Sequence, residues 1–231
     1  ESLQKAAEDL RMEIMPFCLE PVINIDVEKP IAYEVLFRGI ANGISRERLF
    51  LNLKEDLDFE IFSQAVEFVC RMLEEGTLPS PPRLFINIKP ATLVKYDIQI
   101  IGAILKLPLP VVLELREDVL EEEQAKEIRK MKGYLKFSLD DFGKGGSNID
   151  KLVLLEPDFV KLDFEVLRAI PANAFLFLVE FLKKVDSFHL IAEKVETKQD
   201  LQKSRMAGIK LGQGWFWKAP NHTLSPVKST P

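Results

Sequence analysis

Short apolar runs recur along the chain, separated by longer stretches in which apolar positions repeat at helical spacing. The runs fall at 17–25, 31–38, 83–88, 111–115, 136–139, 159–162, 188–192 and 209–211, and each reads as a strand. The stretch 45–76 carries Leu49, Leu53, Leu57, Phe62, Ala65, Val66 and Val69 near helical spacing, and 77–82 is a Pro-rich break. Further helices are predicted over 91–105, ended by Pro108 and Pro110, and over 117–132, capped by Gly133. Others are predicted at 149–155, 172–185 and 197–207, the last with Thr197 as N-cap and Gly208 following.

From the second strand onward, each strand is followed by a helix or a loop. Eight strands alternating with helices point to an α/β barrel of the TIM (β/α)8 type. The opening departs from that pattern. The connection 26–30, with Lys29-Pro30, is too short for a crossover helix, so the first two strands form a hairpin. One of them must then run antiparallel to the rest, giving a modified barrel. Residues 1–15 are expected to form a charged lead-in helix, 16–220 the barrel domain, and 221–231 a loose polar tail.

Composition narrows the class. The chain has 231 residues, 47% of them apolar, enough for a sizeable core, and 29% charged with both signs interspersed. The net charge of −5 argues against a general grip on a nucleic-acid polymer. Two cysteines, Cys18 and Cys70, make no disulfide framework and are expected as buried free thiols in a reducing compartment. No apolar stretch approaches the ~20 residues that span a bilayer, so no membrane contact is expected. No signal peptide is read ahead of the first strand, and the missing initial methionine is expected of a domain cut from something longer.

The stretch 136–163, KFSLDDFGKGGSNIDKLVLLEPDFVKLD, is one βαβ unit. Its first strand ends in Asp140 and Asp141, a loop with Gly143, Gly145 and Gly146 follows, and its second strand carries Lys161 and ends in Asp163. Acids at the C-terminal end of a parallel strand sit where α/β folds place their chemistry, although paired acids also occur there as helix caps.

The other strand ends extend the pattern. Glu34, Asn87, Glu114, Asp140 with Asp141, Lys161, Glu193 and Gln213 fall on seven successive strands at one rim. Each has a structural alternative: Glu34 could face outward, Asn87 could cap a helix, and Glu193 and Glu196 could be first-turn acids. Together they crowd carboxylates that only cations could neutralise. The ligand set is almost all oxygen, and His189 and His222 lie away from these ends, which favours Mg²⁺ or Mn²⁺ over zinc. One Asp bridging two such ions would suit in-line displacement at a phosphoryl centre, with Lys161 beside developing negative charge. Trp215 and Trp217 could stack on a base or cap the barrel core.

Read in order, these segments resemble the EAL domain family, bacterial enzymes that hydrolyse cyclic di-GMP. The namesake motif is Glu34-Val35-Leu36 within YEVLFR; FINIKP, LELRE, DDFG, VKLD, AEKVET and QGWFWKAP follow. The resemblance covers about residues 12–220. It implies two Mg²⁺ or Mn²⁺ ions: Glu34, Asn87, Glu114 and Asp140 on the first, and Asp140, Asp141 and Glu193 on the second. It implies Lys161 as orienting or helping to activate the attacking water, Glu193 as a candidate base, and Gln213 as positioning that water or a metal-bound ligand. Arg38, Glu34, Leu36, Asp163 and Pro220 would meet substrate, with Arg38 on a phosphate, and Glu117 and Glu196 would support the loop 143–149. It further implies cleavage to linear pGpG in the bacterial cytoplasm, a homodimer, and a fused or associated sensory or GGDEF domain. A catalytically weak domain that only holds the dinucleotide, or a protein partner, is the alternative. An unrelated metal-dependent barrel enzyme acting on another phosphoester is a more remote reading.

The departures from the family pattern lie off the metal ligands. Val35 replaces the middle residue of the namesake motif. Lys144–Ile149 reads KGGSNI where the family has TGYSSL, a change that could misplace Asp141 and slow turnover. Glu20-Pro21-Val22 replaces QPI, and the segment after Arg38 is short, with Gly39 where a Trp is usual.

Overall fold

The computed structural model describes residues 17–37, 54–80, 83–116, 120–144 and 149–217. Eight strands close a barrel in chain order. They are β1 (Phe17–Asn24), β2 (Lys29–Phe37), β3 (Leu84–Ile88), β4 (Val111–Leu115), β5 (Lys136–Phe142), β6 (Phe159–Asp163), β7 (His189–Glu193) and β8 (Leu211–Gly212). β1 is antiparallel to both of its neighbours, β2 and β8, while every pair from β2 to β8 is parallel. The hairpin expected from the short connection is therefore present, and β1 is the reversed strand. Its turn is set by Asn24, whose Oδ1 accepts from the amide of Asp26 at 3.0 Å, and by Glu28 at φ +52°.

Helices surround the barrel: α1 (Glu55–Glu74), α2 (Pro90–Lys95), α3 (Asp97–Leu105), α4 (Glu122–Lys130), α5 (Ile149–Leu155), α6 (Phe164–Leu167), α7 (Ala172–Val185) and α8 (Lys198–Met206). Thr197 caps α8 as the sequence predicts, in a reciprocal box: Asp200 N donates to Thr197 Oγ1, and Thr197 N to Asp200 Oδ2. Elsewhere local chemistry moved the expected boundaries. The helix predicted over 91–105 breaks at Tyr96, whose ring stacks on Phe59 and whose hydroxyl donates to Asp56. The helix predicted from 117 starts at Glu122, because Glu121 and Gln124 form its capping box, and Gly133 belongs to a following 3₁₀ turn. β8 falls at Leu211–Gly212 instead of 209–211, where Gly212 lets Trp217 and Ile25 close over the strand. The short helix α6 was not legible from periodicity. The lead-in 1–15, the start of the helix predicted at 45–76, loop residues 145–148 and the tail 221–231 lie outside the described residues.

Among the described residues, two apolar clusters hold the fold. The larger lies between the barrel wall and the helices. The smaller fills the barrel interior with Val22, Ala32, Phe85, Val112, Phe159 and Ile191, and Phe85 meets Phe159 edge-on at 5.2 Å. Side chains two apart on a strand share a face. Two residues beyond this plug the interior positions become Glu34, Asn87, Glu114, Lys161 and Glu193. Strand periodicity thus turns an apolar floor into a polar layer at the C-terminal mouth. Cys18 and Cys70 form no disulfide and are only partly buried, more exposed than the sequence suggested. No helix among the described residues is long and apolar enough to cross a membrane.

Candidate active site

Lys161, fully buried on β6, is the hub of the polar layer. Its ammonium lies 2.8 Å from Glu34 Oε2 on β2, 2.7 Å from Glu114 Oε1 on β4 and 3.7 Å from Glu193 Oε1 on β7. Glu34 also accepts from Asn87 Nδ2 at 2.8 Å and from Gln213 Nε2 at 2.6 Å. With its amide nitrogen turned to Glu34, Gln213 directs a buried Oε1 that finds no donor among the described residues. Six of the residues predicted at the rim therefore meet as one network.

The second half forms at β5. Asp141 sits at φ +49°, the left-handed region, which breaks the strand's alternation. Two consecutive carboxylates can then converge: Asp140, Asp141 and Glu193 each offer an oxygen, all within 4.8 Å of one another. Asp141 N donates to Asp140 Oδ1 at 2.9 Å and fixes that side chain.

Charge in this mouth is unbalanced. Burial would raise the Glu34 carboxyl, but the Lys161 charge and hydrogen bonds from Lys161, Gln213 and Asn87 outweigh it and hold the group below its ordinary value. Glu114 is pushed well above the ordinary value, first by burial and then by the Glu34 charge. Glu193 is likewise pushed well above it by burial and by Asp140. Asp140 is raised to about 6 by burial, with Asp141 and Glu34 adding to the effect and Lys161 opposing it. Lys161 loses from burial but gains more from Glu114, Glu34 and Glu193, and is held well above its ordinary value. One fully buried ammonium does not satisfy these acids. Among the described residues, Glu114 Oε2 and Glu193 Oε2 are buried without a hydrogen-bond donor. An all-oxygen, electron-rich pocket with orphaned carboxylate atoms fits hard divalent cations such as Mg²⁺ or Mn²⁺.

The remaining predicted residues divide. Asp163 is fully buried and both its oxygens are engaged: Oδ1 caps α6 through Glu165 N at 2.7 Å, and Oδ2 accepts from Lys194 Nζ at 2.7 Å. Glu196 is half exposed, 3.4 Å from Arg168. Leu36 is partly buried on β2, two residues beyond Glu34. Trp217 joins the core, whereas Trp215 is exposed. Arg38, Glu117 and Pro220 lie outside the described residues. Sequence reasoning missed Lys194, whose ammonium lies 3.0 Å from Asp141 Oδ1 and 2.7 Å from Asp163 Oδ2. Its one signal was a lysine set between acids directly after a strand end.

A family model described as the EAL domain matches residues 1–220. The uncharacterized EAL-domain containing protein YkuI of Bacillus subtilis is 26% identical over 235 residues, covering 92% of this chain and 56% of that protein. The cyclic di-GMP phosphodiesterase PdeA of Borreliella burgdorferi is 28% identical over 201 residues, 80% of this chain and 30% of that relative. The crystal structure of YkuI in complex with substrate c-di-GMP and calcium matches with a TM-score of 0.76 at 22% identity, covering 92% of this chain and 58% of that one. A manganese and cyclic di-GMP complex of BlrP1 from Klebsiella pneumoniae matches at 0.72 and 23% identity, covering 88% and 55%. These structural likenesses establish the shared fold, and the chain spans little more than half the length of YkuI and less of PdeA.

Proposed function

The chain belongs to the EAL domain family, and we propose that it is a metal-dependent phosphodiesterase that opens cyclic di-GMP to linear pGpG. The observation that carries this reading is the mouth network: Glu34, Asn87, Glu114, Asp140, Asp141 and Glu193 stand around buried Lys161 with orphaned carboxylate oxygens. Relatives named as cyclic di-GMP phosphodiesterases, and neighbours crystallised with that dinucleotide and calcium or manganese, support it.

Glu34, Asn87, Glu114 and Asp140 would hold one Mg²⁺ or Mn²⁺ ion, and Asp140, Asp141 and Glu193 a second. Bound there, the ions would supply Lewis-acid stabilisation of charge developing on a phosphoryl oxygen and acidify water. The chain's own groups do the rest. Lys161 is locked by Glu34 and Glu114, so it presents one fixed positive charge toward the reacting phosphate and orients the attacking water. Gln213 Oε1, turned from Glu34, accepts a hydrogen bond from that water. Glu193 takes the water's proton as the new P–O bond forms; the P–O3′ bond breaks, the freed 3′ oxygen takes up a proton from solvent, and Glu193 returns its proton to solvent. The products are a 5′ phosphomonoester and a 3′ hydroxyl on one linear dinucleotide. Arg38, Leu36, Asp163 and Pro220 are assigned to the substrate side, and Glu117 and Glu196 to support of the 143–149 loop. The working unit is read as a homodimer within a longer bacterial signalling protein of the cytoplasm, carrying a sensory or GGDEF domain.

A second reading, a receptor that holds the dinucleotide uncut, draws on the Lys194 ammonium beside Asp141. Turnover of the wild type and Glu34→Ala, each with dinucleotide binding measured in Ca²⁺, separates the two. Turnover lost in Glu34→Ala supports the enzyme. Turnover retained in Glu34→Ala refutes the assigned site, and binding without turnover in the wild type favours the receptor.

A further inference from the structure

Lys194 directly follows Glu193 and is held at φ +56°, a backbone region that side chains with a Cβ enter at a cost. The surrounding chain keeps it there. Val195 N donates to Gln213 O at 3.0 Å, and a Cβ at Gly214 would come within 2.4 Å of the Val195 carbonyl oxygen. The segments carrying Lys194 and Gln213 are thus pressed together and leave little room for the backbone to relax. The side chain reaches back into the mouth and remains about 35% exposed. Its ammonium bridges Asp141 Oδ1 at 3.0 Å and Asp163 Oδ2 at 2.7 Å, with Glu165 Oε2 at 3.7 Å. Asp141, its partner, is also held in the left-handed region.

Two ammoniums therefore serve this mouth from opposite sides. Lys161 lies within the Glu34–Glu114 half, and Lys194 closes the Asp141 half. Asp141 is one of the three carboxylates whose oxygens converge within 4.8 Å, so the ammonium sits on a carboxylate that a cation bound there would also use.

We propose that Lys194 is a built-in monovalent cation that competes with the second divalent ion for Asp141, making the two metal positions unequal. The inference rests on the two-metal reading above. The ion held by Glu34, Asn87, Glu114 and Asp140 binds without disturbing Lys194. The ion held by Asp140, Asp141 and Glu193 binds only when the ammonium leaves Asp141 and stays on Asp163 alone. Lys194 thereby sets the divalent concentration at which the site fills.

Calorimetric titration of the intact chain with Mn²⁺, without dinucleotide, tests this directly. The wild type should show one tight and one weak ion. Lys194→Gly removes the ammonium and suits the left-handed backbone, and should tighten the weak ion by at least ~10-fold, since a unit charge a few ångströms from a ligand carries more than that factor. Lys194→Arg keeps the charge and should keep the wild-type pattern. Lys194→Met, which retains the aliphatic stem, repeats the Gly result if the glycine variant folds poorly. Two ions of equal affinity in the wild type, or a second ion no tighter in Lys194→Gly and Lys194→Met, would overturn the role of Lys194 while leaving the two-metal reading intact. No Mn²⁺ binding by any of the proteins would overturn both.

Discussion

Replacing Lys161 with methionine keeps the aliphatic stem and removes the ammonium that lies 2.8 Å from Glu34, 2.7 Å from Glu114 and 3.7 Å from Glu193. All of these groups except Glu193 are almost completely buried, so water cannot replace the lost charge. Removing one partner of a buried ion pair costs about 3–5 kcal/mol, because the remaining charge stays desolvated. A domain of this size shifts by about 2–4 °C per kcal/mol, which gives a fall of roughly 6–20 °C in the apoprotein's Tm. The assay is thermal unfolding of wild type and variant in chelator at neutral pH, then in excess Mn²⁺ and at pH 5. The deficit should shrink in both latter conditions, since a divalent ion or protonation of the raised Glu114 and Glu193 carboxyls supplies the missing neutralisation. Turnover should fall by about 10²-fold or more, the cost of deleting one preorganised charge-stabilising donor. A Lys161→Met protein that melts with the wild type in chelator would refute the electrostatic account of the mouth.

Asp140, raised by burial from 3.8 to about 6, binds its proton more tightly folded than unfolded, so the apoprotein loses about 3 kcal/mol as pH rises through that window. Glu114 and Glu193 act in the same direction, while the lowered Glu34, Asp163 and Asp200 lose their stabilisation only at more acid pH. Melts in chelator should therefore peak near roughly pH 4–5 and invert in excess Mn²⁺, which needs deprotonated ligands; a chelator profile rising steadily to neutrality contradicts this. Gly212→Ala places a Cβ 2.5 Å from Trp217 Cη2 and 2.8 Å from Ile25 Cγ2, and should cost about 1–3 kcal/mol in denaturant titration while also lowering turnover through the adjacent Gln213. Asp58→Ala removes the buried carboxylate that accepts from Lys89 N at 2.9 Å and pairs with Arg116; a loss of about 2–4 kcal/mol is expected in the same titration, and an unchanged midpoint would show that the pair holds nothing together.

The sequence made much of this legible because the barrel obeys strand alternation. VVLEL places Val112 in the apolar floor and Glu114 in the polar layer; FVKLD does the same with Phe159 and Lys161. The short connection between the first two strands reported the hairpin, because chain length alone forbids a crossover there. What escaped notice is what periodicity does not encode. The paired acids mark Asp141 in the sequence, but the left-handed backbone angles that turn Asp141 and Lys194 into the mouth leave no mark when the residue is not glycine, and only its place after a strand end marks Lys194. The break at Tyr96 depends on Asp56 and Phe59, far away in sequence. The engaged oxygens of Asp163 became visible only once Lys194 was placed across from it.

Hydrolysis of the dinucleotide by this mouth, with divalent ions and these carboxylates, is open to a direct test. The direct measurement is chromatography of purified chain incubated with cyclic di-GMP and Mn²⁺ or Mg²⁺, beside the same mixture with chelator and with Asp140→Asn. pGpG is expected in the first sample and in neither of the other two. Dinucleotide left intact in the first, or pGpG formed equally in all three, would contradict it.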